Sequence, residues 1–184
     1  MKRWDVINSF IRGNKYEHYL EIGVRRGANF AKIECITKTG VDPDKESAAA
    51  HKITSDEFFN TNKEQFDIIF IDGLHLRDQV LKDISNSLNV LYDNGSIIIH
   101  DCNPPSQFEA REIYKTEKFY KRGDYKLRPD GEFGHYPPWN GTVWEAWMCL
   151  RGEREDLEMF VIDTDNGCGV IRKGTQQPIK LPES

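Results

Sequence analysis

Paired cysteine is what this chain most plainly lacks. Cys35, Cys102, Cys149 and Cys168 stand far apart with no C-x-x-C spacing, which argues against a zinc knuckle or a redox dithiol and leaves them as small buried fillers. Cys102 differs only in following the polar pair His100-Asp101. Long apolar runs are missing too: stretches such as Ile68-Ile69-Phe70-Ile71 fall far short of the roughly twenty residues that span a bilayer. The charged start, Met1-Lys2-Arg3-Trp4-Asp5, leads into no apolar signal-like region, so a cytoplasmic protein is expected. No block of Lys and Arg occurs. With 25 basic against 30 acidic residues and a formal charge of −5, phosphate backbones and anionic membranes are poor partners. Repeats and low-complexity tracts are also absent. What remains, 184 residues with 38% hydrophobic and 30% charged, suits one globular domain spanning 1–184.

The most informative stretch runs from Tyr19 to Asp42. An apolar strand-like run ends in Glu21-Ile22-Gly23-Val24-Arg25-Arg26-Gly27, and Asp42 follows about twenty residues later. Gly23 and Gly27 allow a sharp turn out of a strand and close approach of a ligand, and a carboxylate at the next strand tip can accept ribose hydroxyls. Glu21 stands where the dinucleotide fingerprint has its first glycine, and its charge would repel a pyrophosphate. An acid there favours a cationic ligand. S-adenosylmethionine (SAM), with a sulfonium and an ammonium, fits better than a nicotinamide dinucleotide.

Helix and strand signals alternate along the chain. An amphipathic helix near Trp4 to Ile11 precedes a strand at His18 to Ile22, a helix at Asn29 to Ile36 and a strand ending at Asp42. A helical run through Ala48-Ala49-Ala50, a weak third strand near Ile53 and a helix capped around Thr54-Ser55-Asp56 follow. Phe66 to Ile71 and Ser96 to Ile99 read as strands buried on both faces, with a helix from Arg77 to Leu91 between them. Their polar ends, Asp72-Gly73-Leu74-His75 and His100-Asp101, lie where open α/β sheets bind ligands. Residues 103–140, rich in charge, Pro and Gly, read as a lid or substrate loop that offers His135, Tyr136 and Trp139 to an acceptor. A helix at Thr142 to Trp147 and a hairpin turning at Asn166-Gly167 close the pattern, and the tail beyond Gly174 is expected to fray.

On these residues the chain resembles the Rossmann-like (class I) SAM-dependent methyltransferases, in particular the small branch with an I-D-G-x-H segment and a terminal H-D-C. The likeness covers roughly Tyr19 to Cys102. It implies an α/β, three-layer αβα sandwich around a mostly parallel seven-stranded sheet with a C-terminal antiparallel hairpin. It also implies that Leu20-Glu21-Ile22-Gly23 through Gly27 hold the methionyl part, that Asp42 takes the ribose, and that Ser55 and Asp56 lie near adenine. In related sugar and natural-product O-methyltransferases, acids at the ends of the fourth and fifth strands hold a divalent metal. Asp72, His100 and Asp101 occupy those positions here, with Mg or Mn as the ion, although those relatives commonly use two adjacent carboxylates where this chain has His100.

The expected function is methyl transfer from SAM to a hydroxyl of a small molecule or sugar, with Asp72, His75 and His100 as the catalytic candidates. Asp72 would serve cofactor and metal alike, and an imidazole suits general-base work near neutrality. The partner set is then a small-molecule or sugar acceptor without nucleic acid or membrane, a homodimer being compatible with it. Two alternatives stand beside this. One is an NAD(P)-dependent oxidoreductase, for which Tyr114 and Lys118 have the Tyr-x-x-x-Lys spacing. The other is a SAM-binding module without catalysis.

Overall fold

A computed structural model describes residues 1–112 and 139–179, together with the backbone of a short antiparallel pair, β5 (Tyr125–Leu127) and β6 (Phe133–His135). Tyr114, Lys118, most of the expected lid, the side chains of His135 and Tyr136, and the last five residues lie outside the described residues.

The main sheet has six strands: β1 (His18–Ile22), β2 (Thr37–Val41), β3 (Phe66–Ile71), β4 (Leu91–Ile99), β7 (Leu157–Ile162) and β8 (Cys168–Lys173). Their order is β2-β1-β3-β4-β8-β7, parallel from β2 to β4 and antiparallel at both contacts of β8. Alternation along the strands divides the core in two. Leu20, Ile22, Ile69, Ile71, Ile97 and Ile99 face α2 (Ser55–Thr61), α3 (Arg77–Val90) and α4 (Val143–Glu153). Tyr19, Ile68, Phe70 and Ile98 face the other way, where α1 (Arg3–Asn14) covers them with Val6, Ile7 and Ile11. This is the expected three-layer architecture with its C-terminal antiparallel pair.

Three expectations need correction. Among the described residues the sheet has six strands rather than seven, because the weak strand near Ile53 shrinks to a single bridge between Val41 and His51. The backbone reaches Thr54 only three residues later and turns into α2, whose capping box pairs Thr54 with Glu57. The helix at Asn29 to Ile36 is one 3₁₀ turn, Phe30–Lys32. Asn8 of α1 donates to the Lys32 carbonyl and accepts the Glu34 N–H, the two groups that a longer helix would have used itself. The alanine run forms bends and irregular backbone instead of a helix. Its Ala48 N–H donates to the Arg25 carbonyl, and a Cβ on Gly27 would lie 2.9 Å from the Ala48 methyl, so small residues serve close approach to the glycine turn here.

Candidate active site

Three parallel strands end side by side, and their polar termini meet beneath the start of α1. Gly23 and Gly27, at φ +93° and +77°, carry the chain out of β1. A Cβ at Gly23 would lie 2.1 Å from the Asp72 carbonyl oxygen, so glycine is what lets the tips of β1 and β3 touch. At the β2 tip, buried Asp42 accepts the backbone N–H groups of Arg25 (2.7 Å) and Asp44 (2.8 Å), tying the ribose-acid candidate to the glycine turn. Glu21 is buried on the α1 face, where it accepts Asn29 Nδ2 at 3.0 Å and the Tyr19 hydroxyl at 2.5 Å. Burial pushes its carboxyl up to about 7 despite those two donors.

Asp72, His75, His100 and Asp101 form one cluster. Ligand atoms of Asp72, His75 and Asp101 all lie within 4.8 Å of one another. His75 Nε2 meets Asp72 Oδ1 at 3.2 Å, and its Nδ1 faces Asp101 Oδ2 at 3.1 Å. The second contact is close but not aligned as a hydrogen bond, so it is an ion-pair contact that leaves Nδ1 without a true partner. His100 Nδ1 lies 2.9 Å from Asp101 Oδ1 and 3.4 Å from Asp72 Oδ1, and its Nε2 lies 3.6 Å from Asp165. Burial alone would lower both imidazole pKa values, but the surrounding carboxylates raise them, that of His100 well above its ordinary value. Burial would conversely raise Asp72 and Asp101; His100, with Arg3 for Asp72 and His75 for Asp101, holds them below the usual carboxylate range. Asp101 sits at φ +64°, turning its side chain out of strand alternation into the cluster.

Sequence reasoning missed several members. Arg3 reaches from the first turn of α1 to Asp72 Oδ2 at 2.6 Å and to Asp165 Oδ2 at 2.9 Å. Nothing local to Arg3 announces this, since its partners are 69 and 162 positions away. The segment from Asn140 to Thr142, directly after Trp139, is the second omission. Trp139, expected at the acceptor, stacks on the His75 ring with centroids 5.2 Å apart. Gly141, at φ +66°, presses on the His75 backbone, where a Cβ would lie 2.1 Å from its carbonyl oxygen. Thr142 donates its N–H to that carbonyl at 2.9 Å, and its hydroxyl accepts the Arg77 N–H that opens α3 at 2.8 Å. Asn140 donates to Asp101 Oδ1 at 2.6 Å. Ser55 and Asp56 are engaged with α3: Gln79 Nε2 donates to both, and Lys82 pairs with Asp56. A cavity of about 730 Å³ lies elsewhere, between α3, α4 and the C-terminal segment, lined by Arg77, Trp144, Met148 and Ile179 among others. It contains none of the strand tips.

Residues 26–102 match a family model described as a methyltransferase domain. That segment runs from inside the glycine turn through Asp101. Solved structures share the fold across nearly the whole chain. A Streptomyces achromogenes O-methyltransferase of tomaymycin synthesis, crystallised with SAM, is 13% identical with a TM-score of 0.60, covering 94% of this chain and 79% of its own. A protein assigned as a caffeoyl-CoA O-methyltransferase from Staphylococcus aureus is 17% identical, with a TM-score of 0.60 and coverages of 93% and 82%. A Podospora anserina methyltransferase bound to S-adenosylhomocysteine is 15% identical, with a TM-score of 0.59 and coverages of 93% and 77%. No curated protein sequence matches significantly. The fold is the one these methyltransferases share. The chain thus carries a methyltransferase-domain match over residues 26–102 within a fold shared with SAM-dependent methyltransferases, and the oxidoreductase alternative finds no support in the matched family or in these structures.

Proposed function

We propose that this chain transfers a methyl group from SAM to a hydroxyl oxygen of a small-molecule or sugar acceptor, with reaction at the tips of β3 and β4. The observation that carries this reading is the meeting of two features: a glycine turn tied to a strand-tip acid, and beside it a carboxylate–imidazole cluster. Glu21, Gly23, Gly27 and Asp42 hold the cofactor, with Glu21 and Asp72 facing its cationic methionyl end and Ser55 and Asp56 bordering the adenine side. The acceptor oxygen attacks the methyl carbon in line with the carbon–sulfur bond. The carbon–oxygen bond forms as the carbon–sulfur bond breaks, S-adenosylhomocysteine leaves, and the hydroxyl proton passes to a base. Alignment supplies much of the acceleration.

Asp72, His75 and Asp101 suit a divalent ion, and His75 Nδ1, buried without a hydrogen-bond partner, is the observation that supports one. When bound, such an ion lowers the proton affinity of the acceptor hydroxyl. The two carboxylates match the charge of Mg²⁺ or Mn²⁺, and the imidazole shifts preference toward Mn²⁺. His100, expected among the ligands and bases, serves chiefly as the cation that keeps Asp72 and Asp101 ionised. Trp139 borders the acceptor. The acidic charge balance supports a small-molecule acceptor over nucleic acid, and no helix among the described residues is long and apolar enough to cross a membrane. A cytoplasmic location is part of this proposal.

The test is formation of S-adenosylhomocysteine from SAM over a panel of catechols, phenols, polyketides and sugars, with and without Mn²⁺. Turnover that requires an acceptor and falls on chelation is expected. SAM binding without turnover on any acceptor would favour the binding-module reading, and turnover unaffected by chelation would remove the metal.

A further inference from the structure

Asn140 is buried at 1% exposure, and its two amide atoms have different fates. Nδ2 donates to Asp101 Oδ1 at 2.6 Å. Oδ1 is buried and accepts nothing among the described residues. A buried amide oxygen left unpaired is destabilising, so such an atom asks for a ligand. Its position is bounded. Oxygen and nitrogen of one amide are about 2.3 Å apart, which puts Oδ1 within about 5 Å of Asp101 Oδ1. The neighbours on either side, Trp139 and Gly141, both pack on His75. The Asn140 amide is therefore held at the edge where His75 meets Asp101.

The free valences around that edge are complementary. Asp101 Oδ1 is occupied by His100 Nδ1, Asn140 Nδ2 and, at 3.4 Å, Asn166 Nδ2, leaving Oδ2 toward His75. Asp72 gives Oδ2 to Arg3 and turns Oδ1 toward His75. Ligand atoms of Asp72, His75 and Asp101 thus lie within reach of one ion, and a neutral amide oxygen stands unpaired within about 5 Å of Asp101 Oδ1. A divalent ion takes up to six or more donors, yet two carboxylates already match its charge. A neutral carbonyl adds a donor without adding repulsion.

We infer that Asn140 is a ligand of the divalent ion, its Oδ1 completing a set with Asp72, Asp101 and His75. This rests on the metal-assisted reading above. It assigns to the segment after the loop a role in holding the ion, so that metal binding and docking of residues 139–142 on His75 reinforce one another.

Mn²⁺ is the probe, titrated by calorimetry against the full chain and followed by electron–nuclear double resonance on protein carrying ¹³C at asparagine side-chain carbonyls. Wild type is expected to bind Mn²⁺ and to show a carbonyl ¹³C coupling. Asn140→Ala should lose that coupling and bind at least tenfold more weakly, and Asn140→Asp, which keeps an oxygen but no donor, should retain affinity. If Asn140 only positions Asp101 through its N–H, Asp would fail as badly as Ala and no coupling would exist in wild type, which overturns the inference. Wild-type affinity in Asn140→Ala overturns it too while leaving the metal in place. Absence of Mn²⁺ binding by wild type removes the metal reading and this inference together.

Discussion

Glu21 is held by burial in a protonation state that a cationic ligand would reverse. Its carboxyl titrates at about 7 in the folded protein, against 4.5 ordinarily, because the strand-tip interior penalises the charge more than Tyr19 and Asn29 reward it. The folded pKa is raised, so the stability it contributes is complete below about pH 4.5 and is lost as pH rises through 7. Glu21→Gln should therefore be more stable than wild type at pH 8, and less so or equal at pH 5, by urea denaturation. The sulfonium and ammonium of SAM favour the ionised form, so binding near pH 6.5 should release a proton. Calorimetry in two buffers of different ionisation enthalpy reads that release. Release is expected in wild type and not in Glu21→Gln; equal proton release in both would detach Glu21 from the cofactor. Residue types at the strand tips were legible in the sequence because a strand that ends in Glu-x-Gly or Asp-Gly puts polar groups where apolar ones are the rule. Arg3 and Asn140 were not, because each acquires its meaning from partners far along the chain.

At the scale of elements, apolar periodicity placed α3 and β3 closely and failed where tertiary contacts redirect backbone groups. Asn8 ends the turn at Phe30–Lys32 early, and the Asn94-Gly95 pair lies inside a β4 longer than the apolar run suggested. Two side-chain caps show how local chemistry and site geometry separate. Thr54 caps α2 beside the proposed adenine side and not at the carboxylate–imidazole cluster, so Thr54→Ala should cost about 1 kcal/mol and leave kcat at saturating SAM unchanged. Thr142 bonds the start of α3, and its backbone holds the His75 carbonyl. Thr142→Ala should destabilise by a similar amount, roughly 2–4 °C in melting temperature, and should also lower kcat by loosening His75. Melting curves and steady-state kinetics on the two variants check the contrast. Equal kinetic effects from both would mean that the segment from Trp139 to Thr142 has no special hold on the site.

For the molecule as a whole, strand order does the gathering. Parallel β1, β3 and β4 lie adjacent, so Gly23, Asp72 and His100-Asp101 converge although they are separated by roughly fifty and thirty residues in sequence. The architecture and its C-terminal hairpin were readable from alternation and from the Asn166-Gly167 turn, whereas the seventh strand was an expectation of the family that the short link between β2 and α2 does not satisfy. The central claim is that the glycine turn and the β2 tip form a SAM site. Calorimetric titration of SAM into wild type and Asp42→Ala tests it most directly. Asp42 also accepts two backbone N–H groups, so the variant should melt somewhat lower, by the equivalent of about 1–3 kcal/mol. Wild type is predicted to bind one SAM per chain and no NAD, with at least tenfold weaker SAM binding by the still-folded variant. Absence of SAM binding, a preference for NAD, or equal SAM affinity in the two proteins would contradict the account.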